Sequence, residues 1–321
     1  MSSDQTVLDT FAADVVRDLC RQPKQLQARY LYDALGSSLF DAICRLPWYR
    51  ITRAEARLLR GHAREIANAL PSRDGGVALV ELGCGNGEKL AALLEGIPQN
   101  VPVDVHLIDI STDALQATGA RIARFDNVRT TSHPAAYDEG LRSVQPFLQH
   151  RPCTLTLLLG SNIGNFDPPA AQALLRAIRA PLANGALLLL GADLVKSEAD
   201  LLLAYDDPLG VTAAFNKNLL VRINRELDAD FDVTAFDHRA VWNAREQRVE
   251  MHLVSRRTHR VRLAAADLSV QFAEGESIWT ESSYKYTPLD IGRMGTDGGF
   301  RVIRQWIDEE AQFALTLFVA N

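Results

Sequence analysis

The sequence lacks the residue patterns that staple small folds, bind structural metals, cross membranes or grip nucleic acid. Its 321 residues include four cysteines, Cys20, Cys44, Cys84 and Cys153, and no two form a Cys-x-x-Cys pair. That argues against a disulfide framework or a thiolate zinc site and for four free thiols in a reducing compartment. The histidines, at 62, 106, 133, 150, 238, 252 and 259, show no His-Glu-x-x-His spacing, so no metal is expected. The longest apolar runs, TLTLLLG and ALLLLGADLV, are well short of a membrane span. Net charge is −6 and the basic residues are scattered, which gives no electrostatic reason to bind nucleic acid or an anionic membrane. The N-terminal MSSDQTVLDTFAADVV has no basic stretch followed by an apolar core, so no signal peptide is expected and the chain is placed in the cytoplasm.

What is present is enough apolar residue, 47% of the chain, to bury a substantial core. Residues 7–45 read as two helices broken near Arg21–Pro23. Thr52 to about Leu70 reads as another, with Thr52 and Glu55 in capping-box spacing. The pattern then changes. Short continuous apolar runs at 77–82, 103–110, 155–159 and 186–190 alternate with helical segments, the second of which has Ser111 as its cap. Strand, helix, strand, helix at this spacing predicts a mostly parallel, doubly wound α/β sheet. Phe300–Trp306 and Gln312–Ala320 read as a closing hairpin. The roughly 100 residues before them exceed what one crossover needs, a dozen or more. Segments 247–254, 260–263 and 278–286 alternate like antiparallel strands. The expected division is therefore residues 54–195 with 286–321 as one domain, and 1–53 with 196–285 as a second, α+β domain.

The strongest chemical signal is ELGCGNGEK, where a strand carrying Glu81 runs into Gly83, Gly85 and Gly87. Glycine lets the backbone turn sharply at the strand end and lets a ligand lie against it. A dinucleotide fingerprint wants Gly-x-Gly-x-x-Gly; here Glu88 and Lys89 follow Gly-x-Gly-x-Gly, and Glu88 would face a pyrophosphate. An adenosine ligand without phosphates fits better. Asp109 ends the next strand, where a carboxylate can accept from both ribose hydroxyls, and Ile110 can lie against adenine. The bland alternatives are a turn that needs glycine for geometry alone and an Asp109 that only caps a helix. Together the two features are the pattern of class I methyltransferases, whose sheet has seven strands.

Five longer motifs narrow the reading: LYDALGSSLFDAICRLPWY at 31–49, LLLGSNIGNFDP at 157–168, GADLVKSEADLLLAYDDPLGVTAAFNKNLL at 191–220, VEMHL at 249–253 and TESSYKY at 280–286. With them the chain resembles, over nearly its whole length, the histidine-specific Nα-methyltransferases of ergothioneine biosynthesis. The resemblance implies S-adenosylmethionine as methyl donor, S-adenosylhomocysteine as by-product and a second domain that builds the amino-acid pocket. It implies that Asn165 and Gly160 hold the substrate amine, with Tyr32 and Tyr205 on the carboxylate side. Tyr49, Glu281 and Ser283 address the imidazole, and Met251, Phe40 and Phe215 wall the pocket. Gly83, Lys89 and Asp109 match the family's donor contacts, and Glu81, Gly85 and Ile110, from the turn and the strand end, join them as cofactor-binding candidates. An Asp-Phe pair expected at the adenine is replaced by Ala136-Tyr137, which removes a carboxylate acceptor. The implied reaction is threefold methylation of the histidine α-amine, by a monomer acting on a small molecule.

The residue types suit that chemistry. Methyl transfer from a sulfonium to nitrogen needs a neutral amine lone pair, which the carboxamide oxygen of Asn165 can aim. Tyrosines can relay a proton to water, and no strong base is evident. Glu281 and Ser283, two apart in a strand, project from one face and can clasp a ring bearing N–H groups. Aromatic walls tolerate the fixed cation of a methylated amine. Other readings stay open at this point: loop stabilisation by Asn165, a solvated strand face at 281–283, a core Met251, and Asp206-Asp207 capping a helix after Tyr205. So do another amino-acid substrate such as tryptophan, a catalytically silent donor-binding protein, and a nicotinamide oxidoreductase.

Overall fold

The computed structural model describes residues 3–71, 75–148 and 153–321, so His150 lies outside the described residues. Contacts divide the chain into two compact units, Met1–Arg50 with Lys196–Ser283 and Ile51–Val195 with Tyr284–Asn321.

The second of these holds a seven-stranded sheet in the order Phe300–Asp308, Phe313–Ala320, Leu187–Asp193, Thr154–Leu158, Val77–Leu82, Val103–Asp109, Val128–Pro134. The five strands from Val77 to Asp193 pair in parallel, and Phe313–Ala320 runs antiparallel to both neighbours. Every residue of Val77–Leu82, Thr154–Leu158 and Leu187–Asp193 is buried. That is why these strands read as continuous apolar runs rather than alternating ones. The edge strand Val128–Pro134, sequence VRTTSHP, is mostly exposed and carries no apolar run. It went unrecognised in the sequence for that reason. Helices Tyr137–Leu148, Pro168–Arg179 and Pro288–Asp297 pack with the sheet through Val80, Leu158, Leu188, Ile291 and Phe318, all buried. Helix Ile51–Ala69 packs against Phe313–Ala320 and helix Glu88–Leu94.

The other unit has a four-stranded sheet, in the order Lys24–Gln25, Ser277–Tyr284, Arg248–Ser255, Phe236–Asn243, and a separate pair, His259–Leu263 with Leu268–Phe272. Helix Val211–Leu227 packs on the Phe236–Asn243 and Arg248–Ser255 strands and on helix Ala34–Arg45. The break near Arg21–Pro23 is present, but the chain does not return to helix at once. Lys24–Gln25 pairs in parallel with Ile278–Trp279, and a short 3-10 turn, Ala28–Leu31, precedes Ala34–Arg45. Tertiary pairing overrides local helical spacing there.

Candidate active site

In the seven-stranded unit the chain leaves Val77–Leu82 toward Val103–Asp109 and returns on the other side at Thr154–Leu158. Ligands of open α/β sheets bind outside the strand carboxyl ends at such a reversal. Gly83, Gly85 and Gly87 occupy the turn there, with φ of 77°, 55° and 72°, a region glycine enters without penalty. Gly83 also meets a spatial demand. A Cβ on it would lie 2.5 Å from Tyr137 Oη and 2.7 Å from Asn162 Nδ2. At Gly85 a Cβ would meet nothing within 4 Å, so that part of the turn is open to a ligand.

Asp109 braces the turn. Its Oδ2 accepts from Cys84 N–H at 3.0 Å and its Oδ1 from Ser111 N–H at 2.9 Å. Ser111, not Asp109, caps the next helix, accepting from Ala114 N–H at 3.2 Å. Asp109 Oδ2 also lies 3.7 Å from Cys84 Sγ, so the second lone pair of Oδ1 is the one left for a ligand hydroxyl. Ile110 beside it is 55% exposed, an apolar surface next to a carboxylate. Burial pushes the Cys84 thiol up to about 12, which leaves it protonated at neutral pH and unsuited to be a nucleophile.

The capping box expected at Thr52 and Glu55 is not formed. Helix Ile51–Ala69 begins one residue earlier, and Glu55 is fully buried. Its carboxylate accepts from Gly160 N–H and forms an ion pair with Lys89. It fits because residue 191 has no side chain: a Cβ there would lie 1.9 Å from Glu55 Oε1. Glu81 is 2% exposed, and among the described residues its Oε2 has no hydrogen-bond partner. Burial pushes its carboxyl up to about 8; Lys89 opposes the shift, and Glu55 and Asp109 add to it. A turn that carries the Asp109 and Glu55 carboxylates and the protonated Glu81, with Lys89 already paired, offers a pyrophosphate no free cation. Adenosine hydroxyls and a cationic tail fit it.

After Thr154–Leu158 the chain turns through two left-handed residues, Gly160 at φ 75° and Ser161 at φ 59°. Ser161 Oγ accepts from Asp193 N–H at 3.0 Å, which stabilises the strained residue. The 3-10 turn Asn162–Asn165 follows. Asn162 Nδ2 lies 3.4 Å from Tyr137 Oη, so both side chains cover Gly83. Ala136 is exposed and offers no carboxylate. Asn165 is exposed at the end of the turn. Residues 284–286 buttress this loop. Tyr286 Oη donates to Ile163 C=O at 3.2 Å, Tyr284 C=O leaves no room for a Cβ on Gly164, and Lys285 pairs with Asp193 at 3.0 Å, both buried.

The amino-acid residues named from the sequence gather in the other unit. Tyr32 lies 5.5 Å from both Phe40 and Phe215, Phe40 lies 6.3 Å from Tyr49, and Tyr49 lies 6.1 Å from Tyr205, between ring centroids. Tyr205 Oη donates to Ser283 Oγ at 2.8 Å. Glu281 and Ser283 are 8% and 4% exposed, so strand Ser277–Tyr284 does not present them as a solvated face. Glu281 C=O accepts from Trp279 Nε1–H, and Met251, 1% exposed, accepts through its C=O from Thr280 Oγ1. Asp207 accepts from the amides of Leu209, Val211 and Thr212 ahead of helix Val211–Leu227, whose N-cap is Gly210, while Tyr205 closes the helix before it. Asp33 fixes the chain after Tyr32, accepting from Gly36 N–H and Asn218 Nδ2 and pairing with Arg225.

Sequence reasoning missed the contacts of Glu55, Asn162 and Tyr286. Glu55 meets Gly160 across 105 residues of chain, and no local spacing signals that contact. Asn162 stands three residues before Asn165 in LLLGSNIGNFDP, and nothing local marks it as the one that meets Tyr137. Among the described residues no cluster of three or more histidine, cysteine or acidic side chains could hold a metal, and no helix is long and apolar enough to cross a membrane.

Residues 11–320 match the family described as histidine-specific methyltransferase, SAM-dependent. A histidine N-alpha-methyltransferase of Mycobacterium tuberculosis is 42% identical over 95% of this chain and 93% of its own length. The protein of the same name from Mycolicibacterium smegmatis is 41% identical over 95% of this chain and 94% of its own length. Ergothioneine biosynthesis protein 1 of Neurospora crassa is 27% identical over 88% of this chain, which corresponds to 32% of that longer protein.

Proposed function

The chain belongs to the histidine-specific, S-adenosylmethionine-dependent methyltransferases, and we propose that it methylates the α-amine of L-histidine three times, giving the betaine that opens ergothioneine synthesis. One observation carries the choice of substrate beyond the family. Glu281 and Ser283 are buried on a single strand, with Ser283 hydrogen-bonded to a tyrosine of a five-membered aromatic cluster. Buried polar groups of that kind disfavour an analogue that offers them no complementary donor or acceptor. An imidazole satisfies a carboxylate and a hydroxyl together. An indole, with one N–H, no ring acceptor and greater bulk, cannot match both.

Bound S-adenosylmethionine supplies an electrophilic methyl group on a sulfonium centre. Gly83, Gly85, Lys89, Asp109, Ile110 and Glu81 would hold it, and Tyr137 stands where an adenine contact is expected. The remaining work is positioning. Asn165 accepts from an amine N–H and aims the lone pair, Gly160 supports it, and Tyr32 and Tyr205 hold the carboxylate. Positioning of this kind is worth several kcal/mol without a strong base. The ammonium proton must leave before each transfer, and tyrosine hydroxyls can pass it to water. Tyr32, Phe40, Tyr49, Tyr205 and Phe215 present faces that tolerate the permanent cation as methyl groups accumulate.

The test is mass spectrometry of the purified protein incubated with S-adenosylmethionine and each of the twenty amino acids. Three methyl groups on histidine alone support the reading. Methylation of tryptophan in place of histidine overturns the roles given to Glu281 and Ser283. Donor binding without any product overturns the substrate and leaves a silent binder.

A further inference from the structure

Tyr205 closes helix Glu198–Tyr205, so its carbonyl is one of the acceptors that a helix end leaves without an intrahelical partner. A side chain from another element fills that role. His238, on strand Phe236–Asn243, places Nε2 2.8 Å from Tyr205 C=O. A carbonyl only accepts, so Nε2 carries the hydrogen. In a neutral ring Nδ1 is then an acceptor, and Asn216 Nδ2 lies 2.9 Å from it. Asn216 is fully buried and its second amide hydrogen goes to His252 C=O at 3.2 Å. The amide is therefore held in the orientation that presents N–H to the ring, and the ring is held in one tautomer. The His238 side chain is 2% exposed. Burial holds its pKa below the ordinary histidine value, against the opposing pull of Asp206 and Asp207, with Lys217 adding to the depression.

We propose that His238 is a positioning residue for amino-acid recognition: with its tautomer set by Asn216, it anchors the Tyr205 backbone so that the Tyr205 hydroxyl meets Ser283. The chain runs Asn216 to His238 to Tyr205 to Ser283, every link within 3 Å. Its far end is a residue pair assigned to the substrate, so the inference rests on the proposed function. A helix end without this anchor frays, and the tyrosine hydroxyl at that end loses its fixed distance to Ser283.

The experiment measures KM and kcat for L-histidine, the Kd for S-adenosylhomocysteine, and Tm, for the wild type, His238→Ala and His238→Gln. His238→Ala is expected to raise KM about tenfold while kcat changes less and the by-product Kd stays within about twofold, as the loss of one buried hydrogen-bonded anchor implies. His238→Gln keeps an N–H donor and is expected to recover most of that loss. An unchanged KM in His238→Ala overturns the proposal, as does an equal fall in by-product affinity. If the variants do not fold, nitrogen-15 NMR of the wild-type imidazoles decides: a neutral His238 with hydrogen on Nε2 supports the chain, and hydrogen on Nδ1 overturns it. Wild-type protein that binds S-adenosylhomocysteine but methylates no histidine counts against the substrate reading alone, and the tautomer measurement still judges His238.

Discussion

Both oxygens of the Glu55 carboxylate lie 2.9 Å from the amide nitrogen of Gly160. The same carboxylate pairs with Lys89, so one buried side chain ties Gly160, after the strand Thr154–Leu158, to Lys89 beyond the glycine turn. Glu55→Ala removes the acceptor from a buried amide and the partner from a lysine that is 24% exposed. Breaking a fully buried pair costs several kcal/mol, and Lys89's access to solvent lowers that to about 2 kcal/mol. Guanidinium unfolding at pH 7 reads the stability, and calorimetry with S-adenosylhomocysteine reads the site. A variant with wild-type stability and wild-type binding contradicts this role.

Gly83→Ala places a methyl group against Tyr137 Oη and Asn162 Nδ2, on a backbone at φ 77°. Donor affinity is expected to fall by about tenfold or more, since the turn cannot keep its shape. Tyr137→Phe removes the nearer atom and is expected to restore part of the loss. Additive effects of the two substitutions, measured as Kd in a double-mutant cycle, contradict the contact.

Glu281→Ala is expected to raise KM for histidine by about tenfold to a hundredfold, the cost of leaving buried polar groups unmatched. Donor Kd is expected to stay within about twofold. Equal losses in both refute a role confined to the imidazole.

Stability carries a signature of Glu81. Its carboxyl rises from an ordinary 4.5 to about 8 on folding. Between those values the folded chain keeps a proton that the unfolded chain has released. Stability therefore falls as pH rises through that window. Glu81→Gln is expected to flatten the fall between pH 5 and pH 8 in unfolding curves of the ligand-free protein. Parallel curves for wild type and variant rule the shift out.

Local sequence determined the features whose physics is local. Gly83, Gly85 and Gly87 announced a turn because few other residues enter positive φ, and each does so. Ser111 announced a cap because its hydroxyl needs only an amide three residues on. Fully buried parallel strands announced themselves as apolar runs. The longer motifs went further, since residues scattered from Tyr32 to Phe215 were grouped by resemblance before any contact was known, and their rings meet.

Only the tertiary structure decided the rest. Val128–Pro134 is a strand because Val103–Asp109 offers it an edge, although its own residues are polar. Lys24–Gln25 is extended because Ile278–Trp279 pairs with it. The unit boundaries fall at 50/51, 195/196 and 283/284, where the sequence had suggested 53/54, 195/196 and 285/286. Glu55 sat in capping-box spacing, yet burial beside Gly191 turns it toward Gly160 and Lys89. His238 looked like any lone histidine until Asn216 and Tyr205 arrived on either side of it. A cap or a turn is settled by neighbours a few bonds away. The partner of a buried polar group is settled by whichever distant segment shares its desolvated space, and only the folded chain specifies that.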